Sequence, residues 1–516
     1  MSNWREYIRS FLLLIIILLA VLTILASGGG VDDNCKSPVI TNLEMYPSYH
    51  TSLSVSLKFQ DADGDISTIS YSIYDENGSL LAQKTNEVMG ASGIKNGYLS
   101  GKFDFSYGET GDYSIEFYFT DKKGNNSNII SGDFKIEGGF GNAVRYTDED
   151  NNFYLGETAI GDLNGDGLND VAAIPIDPLF NDENGPLLIY YQMPSGGIFE
   201  SPETIDPGIR ICGVAIADIN SDNKADLIVS GQSDNIQNGY SGKVIIMHQD
   251  PDSGQLGPQE YTLNMDTAGK IAVGDLDGDG RNDLAVQNYD SIALFYQNDD
   301  GTLNPEVYIN ASTFGYDYFY IADMNNDGRN DFIVQSSGTG VNIIKQISSG
   351  EFSTVHDVYT LSGTVGFVDS YYYAVGDLNG DNLTDLAMFF NGDVDGDVVH
   401  NIYIFLQNAQ GTLNSPNEYP AYWWFYSATI IDITKDRLND IILVESGSLK
   451  VLRQTDDHTF SSSSESETYG FSTTSSFGDK SLSIGDVTGD RRLDAVLTNQ
   501  GTGLYVIPYR NNVYVP

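Results

Sequence analysis

Positive charge is scarce in this sequence: 26 Lys and Arg face 72 Asp and Glu over 516 residues, a formal net of −46. Phosphate backbones and anionic membrane surfaces are therefore poor partners, which argues against nucleic-acid binding and makes cations the natural counterpart. Cysteine is almost absent. Cys35 and Cys212 fall in different segments, so no disulfide framework supports the fold, and a bridge between them would stand alone. Histidines are few and scattered, at His50, His248, His356, His400 and His458, with no common place along the chain. No nucleophile elbow, phosphate loop or zinc signature occurs.

Long apolar runs are lacking too, except at the amino end. There Arg5 and Arg9 precede the run Phe11 to Ala26, with small residues Ala26, Ser27 and Gly28 behind it. Residues 1–30 read as a signal peptide or a membrane anchor, the run being short for a full span of about 20 residues. The Ile24-Leu25-Ala26 stretch resembles a bacterial lipoprotein box, but Ser27 stands where the lipidated cysteine must be. The chain is expected to be exported: periplasmic, cell-surface or secreted in a bacterium, touching membrane only through that anchor.

After a linker at 31–37, residues 38–137 show period-two alternation: Leu53, Val55, Leu57 and Phe59 share a face, as do Ile69, Tyr71 and Ile73, and Ile115, Phe117 and Phe119. Gly, Asn and Asp clusters break the runs, the pattern of a half-buried antiparallel sandwich. This segment resembles bacterial immunoglobulin-like domains. Its turn Asp61 to Asp65 reads either as a solvated hairpin or as a calcium site.

Residues 138–516 repeat themselves. An acidic motif begins at Asp162, Asp218, Asp275, Asp323, Asp377, Asp432 and Asp486, in steps of 56, 57, 48, 54, 55 and 54 residues. Each motif lies between two apolar strands, a third strand follows that ends in Gln in six copies, and a fourth short element follows that. Four strands per repeat make a propeller blade. The seventh copy lacks the fourth element, while Phe140 to Tyr146 has its form and stands alone before the first. An amino-terminal strand completing the last blade would close a ring of seven and leave no open edge. The fold class expected is all-β: a seven-bladed β-propeller closed by an N-terminal strand, preceded by a β-sandwich.

Positions 1, 3, 5 and 9 of the motif always carry side-chain oxygen. They are Asp162, Asn164, Asp166 and Asp170 in the first loop, Asp218, Asn220, Asp222 and Asp226 in the second, and Asp275, Asp277, Asp279 and Asp283 in the third. The fourth has Asp323, Asn325, Asp327 and Asp331, and the fifth Asp377, Asn379, Asp381 and Asp385. The sixth has Asp432, Thr434, Asp436 and Asp440, and the seventh Asp486, Thr488, Asp490 and Asp494. Crowded oxygens suit a hard cation, so up to seven Ca2+ ions are expected, with position 9 closing each shell and the apolar position 2 turned into the blade. Position 6 needs a residue tolerant of the left-handed conformation, which Arg437 and Arg491 tolerate poorly. With Lys435 adding positive charge, loops six and seven should bind weakest.

These repeats resemble the FG-GAP and VCBS-type repeats, found also in integrin alpha-subunit propellers. The resemblance implies calcium in the loops on one rim and ligand binding at the opposite face. Three aromatic clusters lead into first strands on that face and give candidate ligand residues Tyr316, Tyr318, Tyr371, Tyr372, Trp423 and Trp424, suited to sugar stacking or to anchoring a protein. Packing between blades is the alternative role for most of them. The function expected is a non-catalytic binding or adhesion module for an extracellular protein or glycan. The alternative is a carbohydrate-active enzyme, such as a polysaccharide lyase or hydrolase, on the same scaffold.

Overall fold

The computed structural model describes residues 23–26, 37–47, 52–88, 93–104, 111–140, 143–146, 154–176, 186–193, 199, 201–235, 239–250, 256–262, 268–288, 291–310, 319–335, 340–361, 365–394, 397–421, 424–445, 448–455, 459–460, 467–470, 482–499 and 503–514. The described chain is strand and turn, in two compact units: residues 1–141 with 509–516, and residues 142–508. No helix among the described residues is long and apolar enough to cross a membrane.

The first unit packs a four-stranded sheet against a five-stranded one. Strand Ser52–Gln60 shows why: Leu53, Val55, Leu57 and Phe59 are buried while the residues between them are partly exposed, so one pleat face feeds the core. Phe59 meets Phe119 of the other sheet edge-on at 5.6 Å, and Tyr71 meets Phe103 at 5.1 Å. Ile69, Ile73, Ile115 and Phe117 complete the alternations read from sequence. Two pairings were not legible there. Thr23–Ala26, at the end of the apolar leader, pairs antiparallel with Asn96–Asp104. Tyr509–Tyr514, which follows the last repeat, pairs with Ile130–Phe140 and completes the five-stranded sheet.

Among the described residues the second unit holds seven four-stranded antiparallel sheets. Each of the first six uses strands in chain order, beginning with Tyr154–Gly161, Asp170–Ile176, Leu187–Tyr190 and Glu203–Ile205. Sheet four inserts a two-stranded hairpin, Gln346–Ser348 with Glu351–Phe352, before its outer strand Asp357–Thr360. Sheet seven has three strands from the carboxy end, and its fourth is Val144–Tyr146, which pairs with Gly503–Ile507. Strand donation from the first repeat's leading edge to the last sheet is thus present.

A sheet apolar on both faces must bury both. One core cluster joins sheets one and two, others join two with three and three with four, and a larger one runs through four, five and six. A further cluster packs Val171, Ala173 and Leu188 of sheet one against Val487, Val496 and Val506 of sheet seven. Hydrogen bonds reinforce that junction: Thr158 and Ser483 hydroxyls lie 2.7 Å apart, and the Thr498 hydroxyl donates to the Gly156 carbonyl at 2.6 Å. Gly485 is small for the same reason, since a methyl there would come within 2.9 Å of Ile160 Cγ2.

Candidate functional site: the seven acidic loops

Every loop follows one path. The position-2 residue, from Leu163 through Val487, is at most 2 % exposed, as its alternation predicts. Position 6 has positive φ in all seven copies, including Asn223 at 65°, Asn382 at 64°, Arg437 at 77° and Arg491 at 66°. Position 4 does as well, in Gly165, Ser221, Gly278, Asn326, Gly380, Lys435 and Gly489, a requirement the sequence reading missed. Among the described residues, every non-glycine with positive φ occupies one of these two positions.

Carboxylates hold this backbone. The position-1 Asp accepts the N–H of position 6 in each loop, from Gly167 on Asp162 at 2.8 Å to Arg491 on Asp486 at 2.7 Å. The position-5 Asp accepts the N–H of position 7, as in Leu168 to Asp166 at 2.9 Å. These charge-assisted bonds repeat without exception, so the left-handed turns are set by oxygen acceptors and not by glycine alone. In loop three the Arg281 guanidinium also pairs with Asp279, and it reaches Asp299 at 2.8 Å; Arg329 pairs with Asp327 in loop four.

The position-9 aspartates, Asp170, Asp226, Asp283, Asp331, Asp385, Asp440 and Asp494, are all fully buried. Asp283 is representative: one oxygen accepts the Leu276 N–H and the other the Gln297 N–H, both at 2.8 Å. Position 9 is therefore first a structural acceptor that ties its loop to the third strand, a role beyond the shell-closing one expected of it. Burial pushes the Asp170 and Asp283 carboxyls up to about 6, and neighbouring Asp charges add to it. Asp331, Asp385 and Asp440 rise to about 7 for the same two reasons.

The glutamines that end the third strands also acquire a role. Gln249 donates its amide to the Asp162 carbonyl of the preceding loop at 3.1 Å, and Gln407 reaches the Asp323 carbonyl at 3.3 Å. Gln297 and Gln346 do the same to Ile219 and Leu276. Position 8 adds a second latch: Asn282 to the Asp218 carbonyl at 2.9 Å, Asn330 to Asp275 at 2.9 Å and Asn439 to Asp377 at 3.0 Å. Asn169 of loop one reaches the Asp486 carbonyl of loop seven at 3.0 Å.

Oxygen convergence tests whether these loops suit a cation. In loop three, oxygens of Asp275, Asp277 and Asp283 lie within 4.8 Å of one another. Asn325 Oδ1 and Thr488 Oγ1 at position 3, and Asp440 Oδ2 at position 9, are buried without a partner. Each is an oxygen at an expected ligand position, so the donor set fits a hard cation. The remaining expected ligands, Asn164, Asp218, Asn220, Asp222, Asp377, Asn379, Asp381, Asp432, Thr434, Asp436 and Asp490, sit in the same loop frame.

Elsewhere the expectations fare differently. In the Asp61 turn, Asp61 is buried and accepts the Asp65 and Ile66 N–H groups at 2.7 and 3.1 Å, while the Lys123 ammonium pairs with Asp63 and lies 3.6 Å from Asp65. That turn carries its own cation and is neither simply solvated nor open. Among the aromatic candidates, Tyr372 is a correction: it is 4 % exposed, in the core shared by sheets four to six, so it offers no surface to a ligand. Trp424 is 40 % exposed, as a binding residue requires. Tyr316, Tyr318 and Trp423 lie outside the described residues, as does the side chain of Tyr371. Cys212 is a free thiol, raised in pKa by burial, and Cys35 lies outside the described residues.

The fold and loops define a repeat protein of propeller-like all-β type. Comparison gives the repeat its name: the FG-GAP-like repeat model matches residues 162–229, 275–334, 323–388 and 432–497. The chain carries FG-GAP-like repeats in those segments. Integrin alpha pat-2 of Caenorhabditis elegans is 32% identical over 149 residues, which is 25% of this chain and 12% of that protein. Among solved structures, BBS1N in complex with ARL6DN aligns with a TM-score of 0.44 at 14% identity, covering 70% of this chain and 93% of that one. A proposed 6-phosphogluconolactonase of Bacteroides fragilis aligns at 0.40 and 11% identity, covering 78% and 96%.

Proposed function

We propose that this is an exported, non-catalytic binding or adhesion module: a closed seven-bladed propeller stabilised by calcium in its acidic loops, preceded by an immunoglobulin-like sandwich, and recognising an extracellular protein or glycan. The observation that carries it is the sevenfold loop, in which buried carboxylates are crowded and Asn325, Thr488 and Asp440 leave oxygens unpartnered. Asp and Asn or Thr side chains at positions 1, 3, 5 and 9 would hold the ion. When bound it supplies positive charge that offsets their mutual repulsion. Packing and hydrogen bonds between sheets one and seven support the closed ring. Similarity to an integrin alpha chain, together with the FG-GAP repeats, supports the adhesion reading and the placement outside the cell.

The test is to screen the full chain on glycan and extracellular-protein arrays in millimolar calcium, and again after chelation. A hit that chelation removes supports a calcium-dependent binding module. Silence from a folded, calcium-loaded sample would sink it.

A further inference from the structure

Side-chain amides link neighbouring acidic loops, always in the same sense. In six loops the position-1 carbonyl accepts an amide from the following sheet, and two residue positions share that task. Where position 8 of the following loop is Asn, it donates: Asn282 to Asp218, Asn330 to Asp275, Asn439 to Asp377 and, from sheet one onto loop seven, Asn169 to Asp486. Where position 8 is Ala225 or Thr384, the third-strand glutamine takes over, Gln249 to Asp162 and Gln407 to Asp323.

Sheet seven has neither donor to give loop six. Its position 8 is Leu493, half-buried as Asn169 is. Ile507 pairs with Ala495 as Phe295 pairs with Leu284, so Tyr509 stands in the place of Gln297. Tyr509 carries no amide, and its ring packs edge-on against Phe140 of the first unit, centroids 5.3 Å apart. The Lys435 ammonium of loop six does reach the Arg491 carbonyl at 2.5 Å, but that exposed bond runs in the opposite sense and does not hold position 1.

A second observation falls on the same loop. The position-1 carbonyl and the position-2 N–H belong to one planar trans peptide and point opposite ways, so an amide on the carbonyl aims the N–H. In the six latched loops that N–H donates to the position-9 carboxylate, from Leu163 on Asp170 at 2.9 Å to Val487 on Asp494 at 3.0 Å. In loop six the matching oxygen, Asp440 Oδ2, is buried without a partner. We infer that the ring of latches is broken once, between sheets six and seven, and that this seam opens before the strand-closed junction of seven with one. That closing junction has the Asn169 latch, the Thr158–Ser483 and Thr498–Gly156 hydrogen bonds and a shared core. The inference rests on the closed-ring reading of the second unit.

Peptide-resolved hydrogen–deuterium exchange of the full chain in millimolar calcium tests it. Asp432–Asp440 should exchange about fivefold faster than the matching stretch of the other loops, the loss of one hydrogen bond. Leu493→Asn supplies the missing amide and should slow Asp432–Asp440 about fivefold while leaving Asp275–Asp283 unchanged. Strain at Lys435 and Arg437 alone would make loop six indifferent to residue 493. Asn169→Ala should speed exchange in Asp486–Asp494 by about the same factor, and it decides the matter if Leu493→Asn does not fold. Equal exchange in all seven loops, a folded Leu493→Asn with loop six unchanged, or Asn169→Ala without effect on loop seven overturns the seam. Fast exchange of Val144–Tyr146, the strand that sheet seven borrows, would overturn the closed ring itself and the seam with it.

Discussion

Loops three and six trace the same backbone with different residues. At positions 4 and 6, loop three has Gly278 and Gly280 with φ of 83° and 88°, while loop six has Lys435 and Arg437 at 63° and 77°. Glycine adopts that conformation at no steric cost; each substituted position costs on the order of 1 kcal/mol or more. At position 9, Asp283 is doubly bonded to backbone N–H groups, whereas Asp440 accepts only the Gln454 N–H, at 3.1 Å, and its other oxygen is unpartnered. The shape of the turn is therefore imposed by carboxylates accepting N–H bonds, and glycine only lowers its cost. Loop six holds the shape with fewer bonds and more strain; arginine at position 6 of loops six and seven, with the added positive charge of Lys435, is the basis for proposing that these two bind calcium weakest.

The largest effect should come from pH acting on the metal-free chain, because five buried position-9 carboxyls contribute at once. Their folded pKa values of about 6 to 7 lie above the ordinary 3.8. Between those limits the folded chain keeps protons that the unfolded chain has released. Their stabilising contribution is thus full below about pH 3.8, declines as pH rises and is gone above about pH 7. In chelator, the urea midpoint should be lower at pH 7.5 than at pH 5, and Asp440→Asn should flatten the trend more than Asp283→Asn. An equal or higher midpoint at pH 7.5 would contradict this.

Next in size is removal of the acceptor itself. Asp283→Ala strands two buried N–H groups and should cost about 3 kcal/mol or more; Asp440→Ala strands one and should cost about half that. Equal losses in denaturant melts would erase the distinction between the loops. Exchanging the strained residue comes third: Gly280→Arg should cost about 1–2 kcal/mol and Arg437→Gly should stabilise by about 1 kcal/mol. Smallest is the latch between neighbouring loops. Asn282→Ala and Asn439→Ala each remove one amide-to-carbonyl bond and should each cost about 1 kcal/mol, here without difference between the two loops.

Much of this was visible in the sequence, because it repeats. Period and strand count came from seven copies, position 6 from its residue types, and the displaced strand from an orphaned Phe140–Tyr146 segment, of which Val144–Tyr146 forms the strand and Phe140 belongs to the first unit. Position 4 escaped notice since Gly, Ser, Asn and Lys share no property except the backbone imposed on them. The third-strand glutamines were seen but had no assigned role: Gln249 and Asp162 lie 87 residues apart, and only packing of adjacent sheets brings them together. Tyr372 misled because an aromatic run entering a strand looks the same whether it faces solvent or the next sheet. Tyr509–Tyr514 joins the first unit by edge pairing, which depends on backbone groups and leaves no side-chain signature.

The central claim, that cations in the acidic loops hold the seven sheets, is tested most directly by calorimetry of the full chain in about 1 mM calcium, in magnesium and in chelator. With site dissociation constants of about 0.1 mM, each occupied loop adds roughly 1.4 kcal/mol, so seven add on the order of 10. A large loss of Tm in chelator, restored by calcium and not by magnesium, with bound metal counted near seven and lowest in loops six and seven, is the predicted result. An unchanged Tm with no bound metal would show that the backbone N–H groups alone satisfy these carboxylates, and would contradict the account.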